Sequence, residues 1–167
     1  MKHTTLCYIE KDGKYLMLHR VKKRHDVNHD KWIGIGGHIE SNETADECIL
    51  REVMEETGLT LTSFRKCGEI LFDSAPWPEE MMHLYYADGF TGKLTDCDEG
   101  ELVWLDKAKL KELPAWEGDF IFLERMERHA PYFELELHYN GETLDRAILN
   151  GAPLPLPNWR DAIDALY

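Results

Sequence analysis

The amino-acid sequence predicts an α/β fold in one domain of 167 residues. Apolar segments typical of β-strands recur along the chain, and two longer segments, 43–57 and 117–128, have the pattern of helices. Hydrophobic residues make up 43% of the sequence and charged residues 31%, a balance typical of a globular domain with a sizeable core.

The first elements form a predicted hairpin. Residues 3–10 and 15–20 have strand-like composition, and residues 11–14 between them are typical of a tight turn. A polar loop over 21–31 follows, and it leads into a short, apolar and glycine-rich segment over 32–39.

The segment 43–57 predicts the first helix. Ser41 or Asn42 can cap its start, and acidic residues in its first turn suit the positive end of the helix dipole. Gly58 suits its end, because glycine readily adopts the left-handed conformation found there.

The middle of the chain predicts three strands, one short helix and one full helix, at 67–73, 81–90, 101–106, 107–112 and 117–128.

Two more strands, 132–138 and 144–149, flank an Asn-Gly turn. We expect the domain to span 1–150 and to be followed by a proline-rich tail, 151–167. The first half of the tail is predicted to lack regular structure because of its prolines, whereas 159–167 could form a short docked helix.

The formal net charge of −13 predicts that the protein has no nucleic-acid polymer as a partner, because such charge repels phosphate backbones. Metal ions or local basic groups must therefore accompany an anionic substrate. Five basic residues cluster in one stretch at and after the end of the second strand: Arg20, Lys22, Lys23, Arg24 and Lys31. It is either a solvated loop or a basic lip over a phosphate site, in which Lys23 is a candidate substrate-binding residue.

Apolar runs in the sequence are too short to span a membrane, and the N-terminus is too polar for a signal peptide. We therefore expect a cytoplasmic protein without a membrane partner. The four cysteines include no Cys-x-x-Cys pair, so we expect reduced thiols that serve as small buried apolar groups.

Three glutamates of the first helix, Glu52, Glu55 and Glu56, share one face because of their i, i+3 and i+4 spacing. Clustered carboxylates can bind a hard cation such as Mg²⁺ or Mn²⁺. A solvated acidic face is the alternative interpretation of these residues. The opposite side of the helix offers three apolar side chains for packing: Ala45, Ile49 and Val53.

The residues around this helix favour the metal-binding interpretation. Gly37 is followed after five residues by Glu43, and after seven more by the run Arg51–Leu59. This pattern resembles the Nudix box at every specified position. The resemblance implies a Nudix-type α/β/α sandwich with a mixed sheet and a catalytic loop–helix–loop.

The same resemblance implies roles for the matching residues. The divalent metal, Mg²⁺ or alternatively Mn²⁺, would be bound by Glu52, Glu55, Glu56 and the backbone oxygen of Gly37. Glu43 and Arg51 would join the loop to the helix by an ion pair. One carboxylate would orient or deprotonate the attacking water. Glu99 is either a further metal ligand or a turn residue.

Outside the box, the segments 22–34, 96–100 and 114–119 resemble MutX-like and MutT-like diphosphatases of oxidised purine nucleotides. This resemblance implies hydrolysis of 8-oxo-dGTP to 8-oxo-dGMP and pyrophosphate, which keeps a mutagenic nucleotide out of DNA.

Several residue types suit a base pocket. Trp116 offers a face for stacking, and Asp119 could hydrogen-bond the base edge. Phe72 and Met81 are either pocket walls or ordinary core residues. Ile33 stands where the mammalian MutT homologue carries an asparagine that reads the base, so a broader nucleotide preference fits as well.

Two other functions remain open from the sequence. One is a Nudix hydrolase for a different nucleoside diphosphate derivative, such as a dinucleotide or ADP-ribose. The other is a nucleotide-sensing module without turnover, which the intact glutamates disfavour. The sequence is compatible with a monomer or a homodimer.

Overall fold

The computed structural model describes residues 1–22 and 25–164. Lys23 lies outside the described residues, as does the end of the predicted C-terminal helix. In chain order the elements are β1 (Lys2–Lys11), β2 (Lys14–His19), β3 (Trp32–Ile33), α1 (Ala45–Thr57), β4 (Leu59–Ser74), β5 (Glu80–Gly92), β6 (Glu101–Asp106), a 3₁₀ turn (Lys107–Glu112), α2 (Asp119–Glu127), β7 (Phe133–Asn140), β8 (Thr143–Leu149), β9 (Ala152–Leu154) and α3 (Trp159–Asp164).

The strands of the described residues form one mixed sheet in the order β3-β2-β1-β5-β4-β7-β8-β9, with β6 paired to β2. The pairs β1–β5 and β4–β7 are parallel, and the other pairs are antiparallel. The predicted α/β class with a mixed sheet is confirmed.

Each face of the sheet buries its own hydrophobic cluster. Ile9 of β1 packs in one cluster with Ile49 of α1. Its neighbour Tyr8 packs in the other cluster against Phe122 of α2, with the ring centroids 5.8 Å apart. Because consecutive residues of a strand point to opposite faces, α1 and α2 cover opposite sides of the sheet and form the predicted sandwich.

Helix α1 begins two residues later than the predicted caps allow, so the expectation that Ser41 or Asn42 caps it is wrong. The cap is Thr44, whose hydroxyl accepts a hydrogen bond from the Glu47 backbone at 3.1 Å, while the Glu47 carboxylate accepts one from the Thr44 backbone at 3.0 Å. This reciprocal capping box satisfies two backbone donors at once. Gly58 ends the helix in the left-handed conformation, as predicted, at φ +81°.

The proline-rich segment is more regular than expected. Residues Ala152–Leu154 form β9, which extends the sheet antiparallel to β8. Proline is tolerated there because an edge strand leaves some N–H positions unpaired. Beyond β9, Trp159 and Ile163 of α3 are buried in the cluster that contains α2.

Strand β4 begins directly after Gly58, eight residues before the predicted start at 67. It pairs with β5 along its length, with register shifts between Leu61 and Ser63 and between Lys66 and Gly68. Each register shift interrupts the alternation of buried and exposed side chains, so the sequence pattern does not indicate one long strand.

All four cysteines are buried free thiols, as predicted, and burial raises the pKa of the Cys7 thiol. No helix within the described ranges is long and apolar enough to span a bilayer.

Candidate active site

A cavity of about 350 Å³ brings the predicted catalytic helix together with the predicted base pocket. Three of the carboxylates that line it are named the acidic wall: Glu52, Glu56 and Glu99. Two aromatic side chains also line the cavity and are named the aromatic wall: Phe72 and Trp116. Asp119 lines the cavity as well. One cavity therefore offers both oxygen ligands and surfaces for a planar group.

The glycine-rich segment lies directly against the acidic wall. A Cβ atom at Gly37 would stand 2.5 Å from the carboxylate carbon of Glu52. The Gly36 backbone N–H donates to Glu56 Oε2 at 3.3 Å. Because Glu52 and Glu56 are one helical turn apart, both reach this segment from the same face of α1.

Glu56 shares its surroundings with a second carboxylate. Burial, together with a hydrogen bond to Glu99 and its negative charge, raises the pKa of Glu56 well above its usual range. Burial also raises the pKa of Glu52. Desolvated carboxylates held this close repel one another unless a proton or a cation lies between them. The acidic wall therefore has the donor chemistry that a hard divalent cation requires.

Arg51 organises the acidic face of α1. Its Nε and Nη2 bind Glu43 at 3.0 and 2.6 Å, and its Nη1 binds Glu52 at 2.8 Å and Glu55 at 3.1 Å. This bidentate pair lowers the pKa of Glu43 to about 2. A further bond from Nη2 to the His38 carbonyl, at 3.1 Å, ties α1 to the loop that precedes it.

The candidate metal ligands are not all collected at one point. Glu52 and Glu56 line the cavity, whereas Glu55 does not and is 58% exposed. As the side chains stand, the described part of the chain contains no group of three His, Cys, Asp or Glu that could hold a metal ion. Arg51 binds both Glu52 and Glu55, so a side-chain rearrangement must accompany the recruitment of a third glutamate from α1.

The basic loop reaches the acidic wall through Arg20. Its guanidinium donates to Asp26 at 2.7 Å and to Glu99 at 2.5 Å, and Arg20 lines the cavity. Lys22 instead donates to the Cys97 carbonyl. Of the members of the predicted cluster that the structure describes, Arg20 thus faces the cavity, while Lys22 binds the loop that carries Glu99.

The aromatic wall is both core and cavity surface. Trp116 is 4% exposed, and its ring packs edge-on against Phe72 and Tyr139 at centroid distances of 4.9 and 4.8 Å. Its indole N–H donates to Asn28 Oδ1 at 2.8 Å. The Lys31 ammonium lies 4.7 Å from the Trp116 ring centroid.

The remaining predicted pocket residues divide into two groups. Ile33 lines the cavity, as does Phe72. Met81 does not, and its neighbour Met82 does. The strand was predicted correctly, but adjacent residues of β5 point to opposite faces, so apolar composition alone could not choose between the two methionines.

Sequence reasoning did not identify Asn28, which lines the cavity and bonds to Trp116. Nothing distinguishes an asparagine of a polar loop from its neighbours in the sequence. Tyr139 was likewise missed: its hydroxyl accepts a hydrogen bond from the Gly118 backbone at 2.8 Å and fixes the turn between Trp116 and Asp119.

Asp119 begins α2, is 6% exposed and lines the cavity. Burial raises its pKa to about 8, and only the charge of Lys31 opposes that shift. The carboxyl group is therefore protonated at neutral pH and can donate a hydrogen bond to a ligand.

Asp119→Asn is expected to stabilise the fold at alkaline pH. The folded state raises the pKa of this acid above its unfolded value of about 4, so wild-type stability falls as the pH rises through the window from about 4 to about 8. The variant lacks this titration, so its Tm advantage should grow between about pH 5 and about pH 9 in calorimetric scans. A Tm difference independent of pH would contradict the burial of an ionisable group at this position.

The family model described as NUDIX domain matches residues 2–126. The chain is 31% identical over 141 residues to a Danio rerio protein named oxidized purine nucleoside triphosphate hydrolase, a match that covers 82% of this chain and 88% of that protein. It is 44% identical over 62 residues to the NAD-capped RNA hydrolase NudC of Vibrio cholerae, covering 36% of this chain and 21% of that protein.

A similar fold occurs in the crystal structure of a MutT protein from Bacillus halodurans, with a TM-score of 0.77 and 23% sequence identity. The superposition covers 92% of this chain and 100% of that one. The family match ends within α2, so β7, β8 and the cavity-supporting Tyr139 lie beyond it.

Proposed function

This chain belongs to the NUDIX domain family of hydrolases, and from that premise we propose that it hydrolyses a nucleoside triphosphate to a monophosphate and pyrophosphate. The preferred substrate is 8-oxo-dGTP, and the enzyme acts in the cytoplasm to remove a mutagenic nucleotide before it enters DNA. The supporting relative is the Danio rerio protein whose name specifies oxidized purine nucleoside triphosphates.

The observation that carries the proposal is the shared cavity. Its volume of about 350 Å³ lies within the range of small-molecule sites. The acidic wall suits a metal-escorted triphosphate, and the aromatic wall with Asp119 suits a base. A nucleoside triphosphate has both parts in one molecule.

Members of this family generally use a divalent metal, and we propose Mg²⁺, for which Mn²⁺ can substitute. The metal would be held by the acidic wall and by the backbone oxygen of Gly37, which also accepts a hydrogen bond from the Thr5 N–H at 2.8 Å and longer ones from the Thr5 hydroxyl at 3.4 Å and Cys48 Sγ at 3.7 Å. When bound, Mg²⁺ neutralises charge on phosphate oxygens and lowers the pKa of a water molecule.

The protein's own groups supply positioning. Arg51 binds both the side chain of Glu52 and the loop before α1. The proposed metal ligands on the helix and on the loop therefore keep their relative positions. Arg20 holds Glu99 beside the cavity. A carboxylate of the acidic wall accepts the proton of the attacking water, whose oxygen forms the new bond to phosphorus as the phosphoanhydride bond breaks and pyrophosphate leaves.

A nucleotide panel tests this proposal. Purified protein with Mg²⁺ would be given 8-oxo-dGTP, the unmodified nucleoside triphosphates, ADP-ribose, NAD and a diadenosine polyphosphate, and products would be separated by chromatography. We expect the highest kcat/KM with 8-oxo-dGTP and release of pyrophosphate rather than phosphate. Faster cleavage of a dinucleotide or ADP-ribose would overturn the substrate assignment. Binding without turnover would instead favour a sensing module.

Ile33→Asn is expected to raise the preference for 8-oxo-dGTP over dGTP, by roughly threefold to tenfold in the ratio of kcat/KM values, because an amide adds polar groups to the cavity surface. Ile33→Val is the matched control, since it trims the side chain and adds no polar atom. An unchanged ratio in Ile33→Asn would mean that position 33 does not face the base.

A further inference from the structure

We infer that Asn28 reads the base. Its side-chain amino group donates a hydrogen bond to the 6-carbonyl oxygen of a purine, which selects guanine-type and hypoxanthine-type nucleotides over adenine nucleotides. This inference rests on the proposed function, because it takes the aromatic wall to be the base site, and it names the residue that sets the choice of base.

The orientation of the Asn28 amide follows from its partner. The indole N–H of Trp116 can only donate, and it lies 2.8 Å from the Asn28 side chain. The atom that meets it must therefore be the oxygen, Oδ1. The amino group, Nδ2, points away from the indole, and the two ends of the amide cannot exchange places without placing two donors together.

The backbone of Asn28 is fixed as well. Its N–H donates to Asp26 Oδ1 at 3.2 Å, and its carbonyl accepts from the Lys31 N–H at 2.9 Å. Asp26 is itself held by Arg20, whose Nε donates to Asp26 Oδ2 at 2.7 Å. The loop thus presents a preorganised side chain, and little conformational entropy is lost when a ligand engages it.

The amino group is available to a ligand in the cavity. Asn28 is partly buried and lines the cavity. Across residues 1–22 and 25–164, its Nδ2 has no hydrogen-bond partner. The neighbouring lining residues Val27 and Ile33 are apolar. A base beside this stretch therefore meets one oriented donor.

A hydrogen-bond donor with a fixed orientation can distinguish purine bases by the group that they carry at position 6. The 6-carbonyl of guanine or hypoxanthine accepts its hydrogen bond, whereas the 6-amino group of adenine places a second donor against it and leaves both unpaired. A buried donor without a partner weakens binding by roughly 10- to 100-fold. Asp119, protonated at neutral pH, is a second polar group of the same cavity and can engage another atom of the base edge.

The test uses binding of product nucleotides, so it does not depend on turnover. Dissociation constants for dIMP and dAMP would be measured by calorimetry, since these bases carry a carbonyl and an amino group at position 6. We expect the wild-type protein to bind dIMP roughly 10- to 100-fold more tightly than dAMP. Equal affinities in the wild type would overturn the inference.

Asn28→Asp is the informative variant, because it keeps an oxygen for the Trp116 indole and replaces the amino donor with an acceptor. The dIMP-to-dAMP preference should vanish or invert. Asn158→Asp, at an exposed position outside the cavity lining, is the control for the added negative charge and should keep the wild-type preference. Asn28→Ala should lower the preference without adding charge.

The outcomes separate this inference from the proposed function. A protein that prefers dIMP through Asn28 but hydrolyses no triphosphate would keep the base-reading role and lose the catalytic proposal. A protein that hydrolyses triphosphates while Asn28→Asp and Asn28→Ala both retain the wild-type preference, with unchanged Tm, would keep the catalytic proposal and refute the role of Asn28.

Discussion

Glu56→Gln is expected to lower kcat/KM for the preferred nucleotide by at least about 100-fold, with little change in Tm. Glu56 is 8% exposed and belongs to the acidic wall, so the substitution removes a negative charge from the place where we propose that the metal binds. The fold should tolerate the change because glutamine has the shape of glutamate and keeps a side-chain oxygen that can accept the hydrogen bond from the Gly36 N–H.

Glu52→Gln is expected to behave alike, since Glu52 lines the same wall. Glu112→Gln, at an exposed residue that does not line the cavity, is the control that removes the same charge elsewhere on the protein. Rates near wild type in both Glu52→Gln and Glu56→Gln, measured by pyrophosphate release, would contradict the assigned roles.

Gly37→Ala is expected to abolish most activity while the protein remains folded. The added Cβ would lie 2.5 Å from both the carboxylate carbon and Oε1 of Glu52, so that carboxylate must move away from Gly37. Because the obstructing atoms are the end of a flexible side chain, the stability cost is small, but the ligand geometry is lost. We expect a loss in kcat/KM similar to that of Glu52→Gln, roughly 100-fold or more.

Gly36→Ala supplies the matched contrast. Its Cβ would meet the Thr5 backbone carbonyl at 1.8 Å, so β1 or the glycine segment must move. That variant should lose about 1–3 kcal/mol or more of folding stability, seen as a lower Tm. If Gly37→Ala lowered Tm as much as Gly36→Ala, its loss of activity would be structural and would say nothing about Glu52.

The two glutamates that α1 contributes to the acidic wall could be predicted from the sequence because their geometry is local. Glu52 and Glu56 are one helical turn apart, and the spacing from Gly37 to Leu59 is fixed along a single loop and helix. Gly58 was recognisable as a helix end for the same reason. The cap at Thr44 is equally local. It was missed because Ser41 and Asn42 are also favoured cap residues and the helix was predicted to begin at 43.

The aromatic wall could be predicted only in part, because it is assembled from distant segments. Trp116 and Asp119 were recognised by residue type, whereas Asn28 became visible only when the indole of Trp116 was seen to bind its oxygen across 88 positions of sequence. The choice between Met81 and Met82 depended on the register of β5 against β1, which pairs Met82 with Thr4. Register is a property of the assembled sheet and leaves no local signal in one strand.

The most direct measurement is a crystal structure with Mn²⁺ and a non-hydrolysable analogue of 8-oxo-dGTP, with the ion located by its anomalous scattering. We expect an ion between the acidic wall and the triphosphate, with the base against Trp116 and its 6-carbonyl within hydrogen-bond distance of Asn28 Nδ2. An ion bound away from Glu52 and Glu56, or a base lying outside this cavity, would contradict this expectation.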